Sequence, residues 1–134
     1  MIRYREGYKY QLAEDYAVDV GIRPEKIMRS AFLALSPAGI LTIRKGYAWD
    51  GPSGPAIDTK NFMRGSLVHD ALYQMIRQRK IALDYRKAAD KLLQAICLED
   101  GMSAIRAWWV YEGVRYGGGP AADPENDNPI LEAP

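Results

Sequence analysis

The sequence predicts an α+β fold in which antiparallel strands and hairpins come first and helices follow. As far as Arg44, apolar and polar residues alternate within segments rich in aromatic and β-branched side chains, a pattern typical of strands. From Ser66 onward, apolar residues recur at helical spacing instead. We therefore expect one α+β domain over residues 1–119 with about three packed helices. A proline-rich, acidic arm over residues 120–134 is expected to extend from it.

Four apolar segments are predicted strands: Tyr8–Leu12, Tyr16–Val20, Ala31–Leu35 and Ile40–Arg44. The last two flank a four-residue turn, 36–39, with proline at its second position and glycine at its fourth, which predicts a hairpin. The segment after them, 45–55, contains three glycines and two prolines in eleven residues, so we expect no regular structure there.

Three helices are predicted in the second half of the chain. Ser66 is expected to cap the first, which runs to about Lys80, and Asp84 to cap the second, which ends before Gly101. The short connection makes these two helices antiparallel neighbours. A third helix is expected from Ala104 to about Tyr116, started by Ser103 and with close packing at Gly113.

Composition places the chain among ordinary globular proteins, with 48% hydrophobic and 26% charged residues. A single cysteine, Cys97, excludes an intrachain disulfide and indicates a reducing compartment. Its place on the apolar side of a helix predicts a small buried side chain rather than a reactive thiol. We expect neither a signal peptide nor a transmembrane segment.

The net charge of +1 is unevenly distributed. The arm holds four acidic and no basic residues, whereas six basic residues fall between Arg77 and Lys91. Such a run could meet phosphate groups, but a solvated helix end and loop is the simpler interpretation. Since no aromatic residues are interleaved and no binding module is recognisable, we do not expect nucleic acid as a partner.

The chemistry-bearing residues cluster around His69 and Asp70. Histidine is the side chain best suited to general-base work near neutral pH, provided that a carboxylate orients it, and antiparallel packing would bring Asp90 to His69. Asp70 points elsewhere on the helix, so it could ligate a cation together with oxygens of the loop at Asp50–Pro55. Calcium or another divalent cation suits carboxylate and carbonyl ligands. Alternatively, the same residues only rigidify the core and cap turns.

These residues belong to a longer pattern. The blocks Gly46–Ser53, His69–Tyr73, Ala89–Leu93 and Tyr111–Gly117 follow one another in this order. In this respect the chain, from Leu41 to Gly118, resembles a family of small phage and prophage proteins of unassigned function. The resemblance implies a phage or prophage origin and a component of the virion or its tail region, located in the virion or in the host cytoplasm during assembly.

A second resemblance is local. A His-Asp pair followed by tyrosine on one helix, with an aspartate on an antiparallel helix, is similar to the site of secretory phospholipases of the A-two type. The resemblance implies that His69 is the base, that Asp90 orients it and that Tyr73 supports Asp90. It further implies a calcium site formed by Asp70 with the glycine-rich loop that contains Asp50, Gly51 and Gly54.

Two functions remain open at this stage. One is a virion-associated structural or adaptor protein, with other virion proteins or a second copy held by the C-terminal arm. The other is a small hydrolase that acts on a membrane or envelope substrate, either phospholipid or peptidoglycan, with His69 as general base.

Overall fold

The computed structural model describes residues 10–49 and 60–124, and its fold is α+β with the strands first, as the sequence predicts. Within these two ranges, six strands precede the helices: β1 Tyr10–Gln11, β2 Tyr16–Asp19, β3 Met28–Ser30, β4 Leu33–Leu35, β5 Ile40–Ile43 and β6 Ala48–Trp49. Four helices follow: α1 Lys60–Arg77, α2 Arg86–Glu99, α3 Ala104–Gly117 and the short α4 Gly119–Ala122.

The larger sheet is antiparallel, with the strand order β2-β5-β4-β3. Its centre is the predicted hairpin, in which Leu35 pairs with Leu41 and the Gly39 amide donates to the Ser36 carbonyl at 2.9 Å. Gly39 has φ +85°, a conformation that suits glycine because it lacks a Cβ. The edge strand β3 was not predicted. Its three residues are too short a segment for alternation to be recognised.

The second sheet contains only β1 and β6, in which Tyr10 pairs with Trp49. The prediction that 45–55 lacks regular structure is therefore wrong at Ala48–Trp49. Tyr10 and Trp49 are both buried, with ring centroids 5.5 Å apart, so aromatic packing stabilises a strand between glycines.

Helix α1 lies across the larger sheet. Near its beginning, Arg64 donates to the Tyr16 hydroxyl of edge strand β2, and directly after its end Gln78 contacts Ser30 of the opposite edge strand β3. The predicted apolar face of α1 is buried and joins the inward side chains of β4 and β5 in the main core: Leu67, Val68, Ala71, Leu72, Met75 and Ile76. This packing fixes the orientation of His69 on the same helix.

Helices α1 and α2 pack antiparallel, because residues from Arg64 to Tyr73 meet α2 and its flanks in reverse order. At Gly65 a Cβ would lie 2.9 Å from Leu93 Cδ1 and 3.1 Å from Cys97 Sγ, so glycine permits the close approach. The close packing expected at Gly113 is not found among the described residues, where no atom outside its own helix backbone lies within 4 Å of the position of its Cβ.

Two predicted helix caps are also wrong. Ser66 lies inside α1, where its hydroxyl donates to the Met63 carbonyl and accepts from the Trp49 indole at 3.1 Å. Asp84 lies in a 3-10 turn at Leu83–Tyr85 that precedes α2. The cap at Ser103 is confirmed, because its hydroxyl accepts from the Arg106 amide. None of the helices in the described part of the chain is both long and apolar enough to cross a bilayer.

Candidate functional site

The candidate site is centred on Asp90, a carboxylate of α2 whose side chain has no exposed surface. It occupies the side of α2 that faces α1 and α3. An ionised carboxylate at such a position requires hydrogen bonds and an opposite charge, since burial without them is costly. Three side chains from the two neighbouring helices supply them: His69, Tyr73 and Arg115.

His69 meets Asp90 from α1, with Nε2 2.7 Å from Oδ1. Its exposed fraction is 7%, so the ring lies almost entirely within the protein. An ionised carboxylate can only accept, which places the proton of neutral His69 on Nε2 and the lone pair on Nδ1. The structure thus confirms the predicted approach of Asp90 to His69.

Tyr73 lies one turn after His69 on α1 and contacts the same carboxylate oxygen. Its hydroxyl donates to Asp90 Oδ1 at 2.5 Å and accepts from Arg86 Nε at 3.1 Å. The rings of His69 and Tyr73 pack together, with centroids 4.1 Å apart. Burial, followed by the bond to Asp90, raises the pKa of Tyr73 far above its ordinary value, so the phenol remains a donor.

Arg115 reaches the cluster from α3. Its Nη1 donates to Asp90 Oδ2 at 2.8 Å, so it binds the oxygen that His69 and Tyr73 leave available. Next to it, Arg86 Nη2 donates to the carbonyls of Val114 and Arg115 at 2.7 and 2.8 Å. Both guanidinium groups are therefore held in place before any ligand arrives.

The cluster shifts the pKa values of Asp90 and His69 in the directions that favour the charged forms of both side chains. Burial by itself raises the pKa of Asp90. Hydrogen bonds from His69, Tyr73 and Arg115 lower this pKa by more than burial raises it, so it lies below its ordinary value of 3.8. Burial lowers the pKa of His69, but the carboxylates of Asp70 and Asp90 more than offset it, so this pKa lies above 6.5. The pair can hold a proton near neutral pH.

Apart from Arg115, these residues fall inside a region that matches a known family model. Residues 28–114 match the model described as protein of unknown function, DUF1353. The chain belongs to the DUF1353 family. The match overlaps most of the predicted resemblance from Leu41 to Gly118 and includes His69, Tyr73 and Asp90. No curated protein and no solved structure gives a significant match.

Of the four residues predicted to hold a metal in this DUF1353 protein, the structure describes one. Asp70 Oδ1 lies 4.0 Å from His69 Nδ1, and its side chain is 38% exposed. Asp50, Gly51 and Gly54 lie outside the described residues. Within residues 10–49 and 60–124, no group of three or more His, Cys, Asp or Glu side chains is arranged to hold a metal ion.

Cys97 takes no part in the cluster. It is fully buried beside Leu93 and Met102, and burial raises the pKa of its thiol to about 11. A protonated, inaccessible thiol is unreactive, in agreement with the interpretation of Cys97 as a small apolar residue.

Sequence reasoning missed Arg115 and Arg86 as members of the cluster. The only signal available was indirect: a carboxylate on the apolar side of a helix needs a cation. Choosing between Arg106 and Arg115 requires knowledge of which face of α3 meets α2. The helical pattern of α3 does not supply it, since Trp108, Trp109 and Tyr116 are apolar yet exposed.

Proposed function

We propose that this chain is a hydrolase that uses His69 as its general base on phospholipid or peptidoglycan of a cell envelope. The strongest support for this proposal is the 2.7 Å contact between His69 Nε2 and the fully buried Asp90 carboxylate. A carboxylate that fixes one imidazole nitrogen leaves the other nitrogen in a defined position for proton transfer.

In the proposed reaction, Nδ1 of His69 takes a proton from water while the water oxygen bonds to the carbonyl carbon of an ester or amide. The imidazolium is then stabilised by Asp90, whose charge Arg115 partly balances. As the tetrahedral intermediate collapses, the bond to the leaving oxygen or nitrogen breaks and that atom receives the proton from His69. The products are an acid and an alcohol or amine, and neutral His69 is restored.

Asp70 is the residue that would connect this base to a cation. Its carboxylate neighbours Nδ1 of His69 and retains exposed surface. We propose that it binds calcium or another divalent cation, with further oxygens from the loop that contains Asp50, Gly51 and Gly54. A cation there would polarise the carbonyl that the water attacks.

The test uses two substrates, phospholipid vesicles and purified peptidoglycan, each assayed with calcium and with a chelator. Release of fatty acid or of soluble peptidoglycan fragments would be measured for the wild type and for His69→Gln. Glutamine can still donate to Asp90 but cannot act as a base, so we expect at least a 100-fold loss with the fold retained. Glu99→Gln, an exposed change far from Asp90, is the matched control.

Absence of turnover with both substrates would refute the proposed activity. Equal activity in His69→Gln and in the wild type would refute the role of His69. Circular dichroism of each variant separates lost chemistry from lost folding.

We also propose an alternative, a structural or adaptor role in a phage or prophage virion. The exposed apolar side chains of α3 favour it, since Trp109 is 64% and Ile105 74% exposed, with Trp108 and Tyr116 beside them. In this role other virion proteins or a second copy would bind the chain, in the virion or during assembly in the host cytoplasm. Sedimentation velocity of the full chain and of Trp109→Ser tests self-association. A monomer at all concentrations argues against it.

A further inference from the structure

An open cleft lies on the side of the Asp90 cluster where its arginines reach the surface. Its volume is about 480 Å³, within the range of small-ligand sites. Basic, acidic and small residues share its lining: Leu83, Asp84, Arg86, Lys87, Arg115, Gly119 and Asp123. Neither His69 nor Asp70 is among these lining residues.

Among the described residues, Arg86 is the cation of this lining that makes the most hydrogen bonds. Its hydrogen bonds go to neutral acceptors, namely the Tyr73 hydroxyl and the carbonyls of Val114 and Arg115. A Cβ at Gly119 would lie 3.9 Å from its guanidinium, so the missing side chain keeps that side of the cleft open. A preorganised guanidinium that is bonded only to neutral groups attracts an oxyanion.

The other charged groups make the cleft bipolar. Lys87 adds an exposed ammonium group next to Arg86, and Arg115 adds a guanidinium that already neutralises Asp90. Asp84 and Asp123 contribute two carboxylates to the same lining. A simple polyanion would be repelled by these carboxylates, whereas a ligand with an anionic and a cationic end would be complementary to both sets.

We propose that this cleft binds a small zwitterion that carries a phosphoryl group and an ammonium group. The three cationic side chains match the anionic oxygens of a phosphate ester, either a soluble monoester or the diester of a lipid headgroup. The ammonium group meets Asp84. This inference goes beyond the proposed hydrolase activity and does not depend on it.

The contacts of Arg86 and Arg115 supply a reporter of binding. Arg86 is joined to Asp90 through the Tyr73 hydroxyl, and Arg115 is joined to it directly. A ligand that attracts either guanidinium therefore changes the environment of His69, the one histidine in the chain. Its imidazole resonances can be followed without ambiguity in the intact protein.

The experiment titrates O-phosphoethanolamine and inorganic phosphate separately into the full chain at constant ionic strength, with NMR detection at His69. We expect saturable binding, tighter for phosphoethanolamine. Lys87→Ala should weaken both by about tenfold, as loss of a charge-assisted hydrogen bond implies. Lys91→Ala, an exposed change one turn further along α2, should leave both unchanged. Asp84→Asn should reduce the preference for phosphoethanolamine over phosphate.

No saturable shift with either compound would overturn the proposal, as would equal weakening by Lys87→Ala and Lys91→Ala. Equal affinity of the wild type for phosphoethanolamine and phosphate would overturn the proposal that the ligand is a zwitterion. Sedimentation with phosphatidylethanolamine vesicles identifies the source of the phosphoryl and ammonium groups. Binding to vesicles supports a lipid headgroup, and binding to the soluble compound alone supports a free phosphoester.

Discussion

Arg115 on α3 places Nη1 2.8 Å from Oδ2 of Asp90, while the other oxygen of that carboxylate accepts from α1. One buried side chain on α2 thus serves as the acceptor for both neighbouring helices. The positions of α1 and α3 relative to α2 depend on it, and so does the protonation state of His69.

The first prediction is that Asp90→Asn destabilises the protein and lowers the pKa of His69. The change keeps the shape of the side chain but removes the charge that His69 and Arg115 share, and breaking a buried ion pair costs about 3–5 kcal/mol. Urea unfolding measures the stability, and NMR titration of His69 measures the pKa. Asp84→Asn, at an exposed carboxylate, is the control. A loss below about 1 kcal/mol would mean that Asp90 does not hold the helices together.

The second prediction concerns Tyr73→Phe, which removes one donor from Asp90 Oδ1. We expect a loss of about 1 kcal/mol in unfolding free energy, typical of a hydrogen bond. Because the carboxylate becomes more basic, the pKa of His69 should rise, opposite to its change in Asp90→Asn. The same two measurements apply. A fall in the pKa of His69 would show that Tyr73 does not compete with it for Asp90.

The third prediction is a maximum of stability between about pH 3.8 and pH 6.5, the ordinary pKa values of Asp90 and His69. The raised pKa of folded His69 contributes stability that is complete below pH 6.5 and is lost as the pH rises through the folded value. The lowered pKa of Asp90 contributes stability that is present above pH 3.8 and is lost as the pH falls through its folded value.

Unfolding free energies between pH 2 and pH 9 test this profile. In His69→Gln the decline on the alkaline side should disappear, whereas the decline on the acid side should become smaller but persist, because Tyr73 and Arg115 still bind Asp90. An unchanged alkaline side in that variant would assign the decline to another group.

The fourth prediction compares two glycines near the end of α3. At Gly118 a Cβ would lie 2.6 Å from the Val114 carbonyl and 2.8 Å from the Tyr73 hydroxyl, so Gly118→Ala should cost about 1–3 kcal/mol through overpacking. At Gly113 no atom of the described residues outside its own helix backbone lies within 4 Å, so Gly113→Ala should stabilise the helix by up to about 1 kcal/mol. Thermal unfolding of both variants is the measurement. Equal effects would show that Gly118 does not pack against Tyr73.

Local patterns predicted much of the fold because the decisive interactions are local. The turn at Ser36–Gly39 and the cap at Ser103 depend on residues within four positions of one another. The errors occur where a distant partner decides. Ser66 lies inside α1, where its hydroxyl accepts from the indole of the distant Trp49, and β6 forms by pairing with the distant Tyr10. Composition cannot show such contacts.

The same distinction applies to the site. His69 and Tyr73 lie one turn apart on α1, and the short connection to α2 makes the approach of Asp90 predictable. Arg115 comes from a third helix whose rotation about its axis is set by tertiary packing. The apolar pattern of α3 points to the exposed tryptophans rather than to the buried side, so the sequence alone does not identify this arginine.

The limits of the family match differ from those of the cooperative folding unit. The match covers residues 28–114, so a fragment cut at those positions would lack β2 and Arg115. Loss of β2 would leave β5 as an unprotected edge, open to pairing with other chains. Loss of Arg115 would leave Asp90 Oδ2 without its counter-charge. We expect such a fragment to aggregate during expression, so functional assays of this chain need the residues that flank the match on both sides.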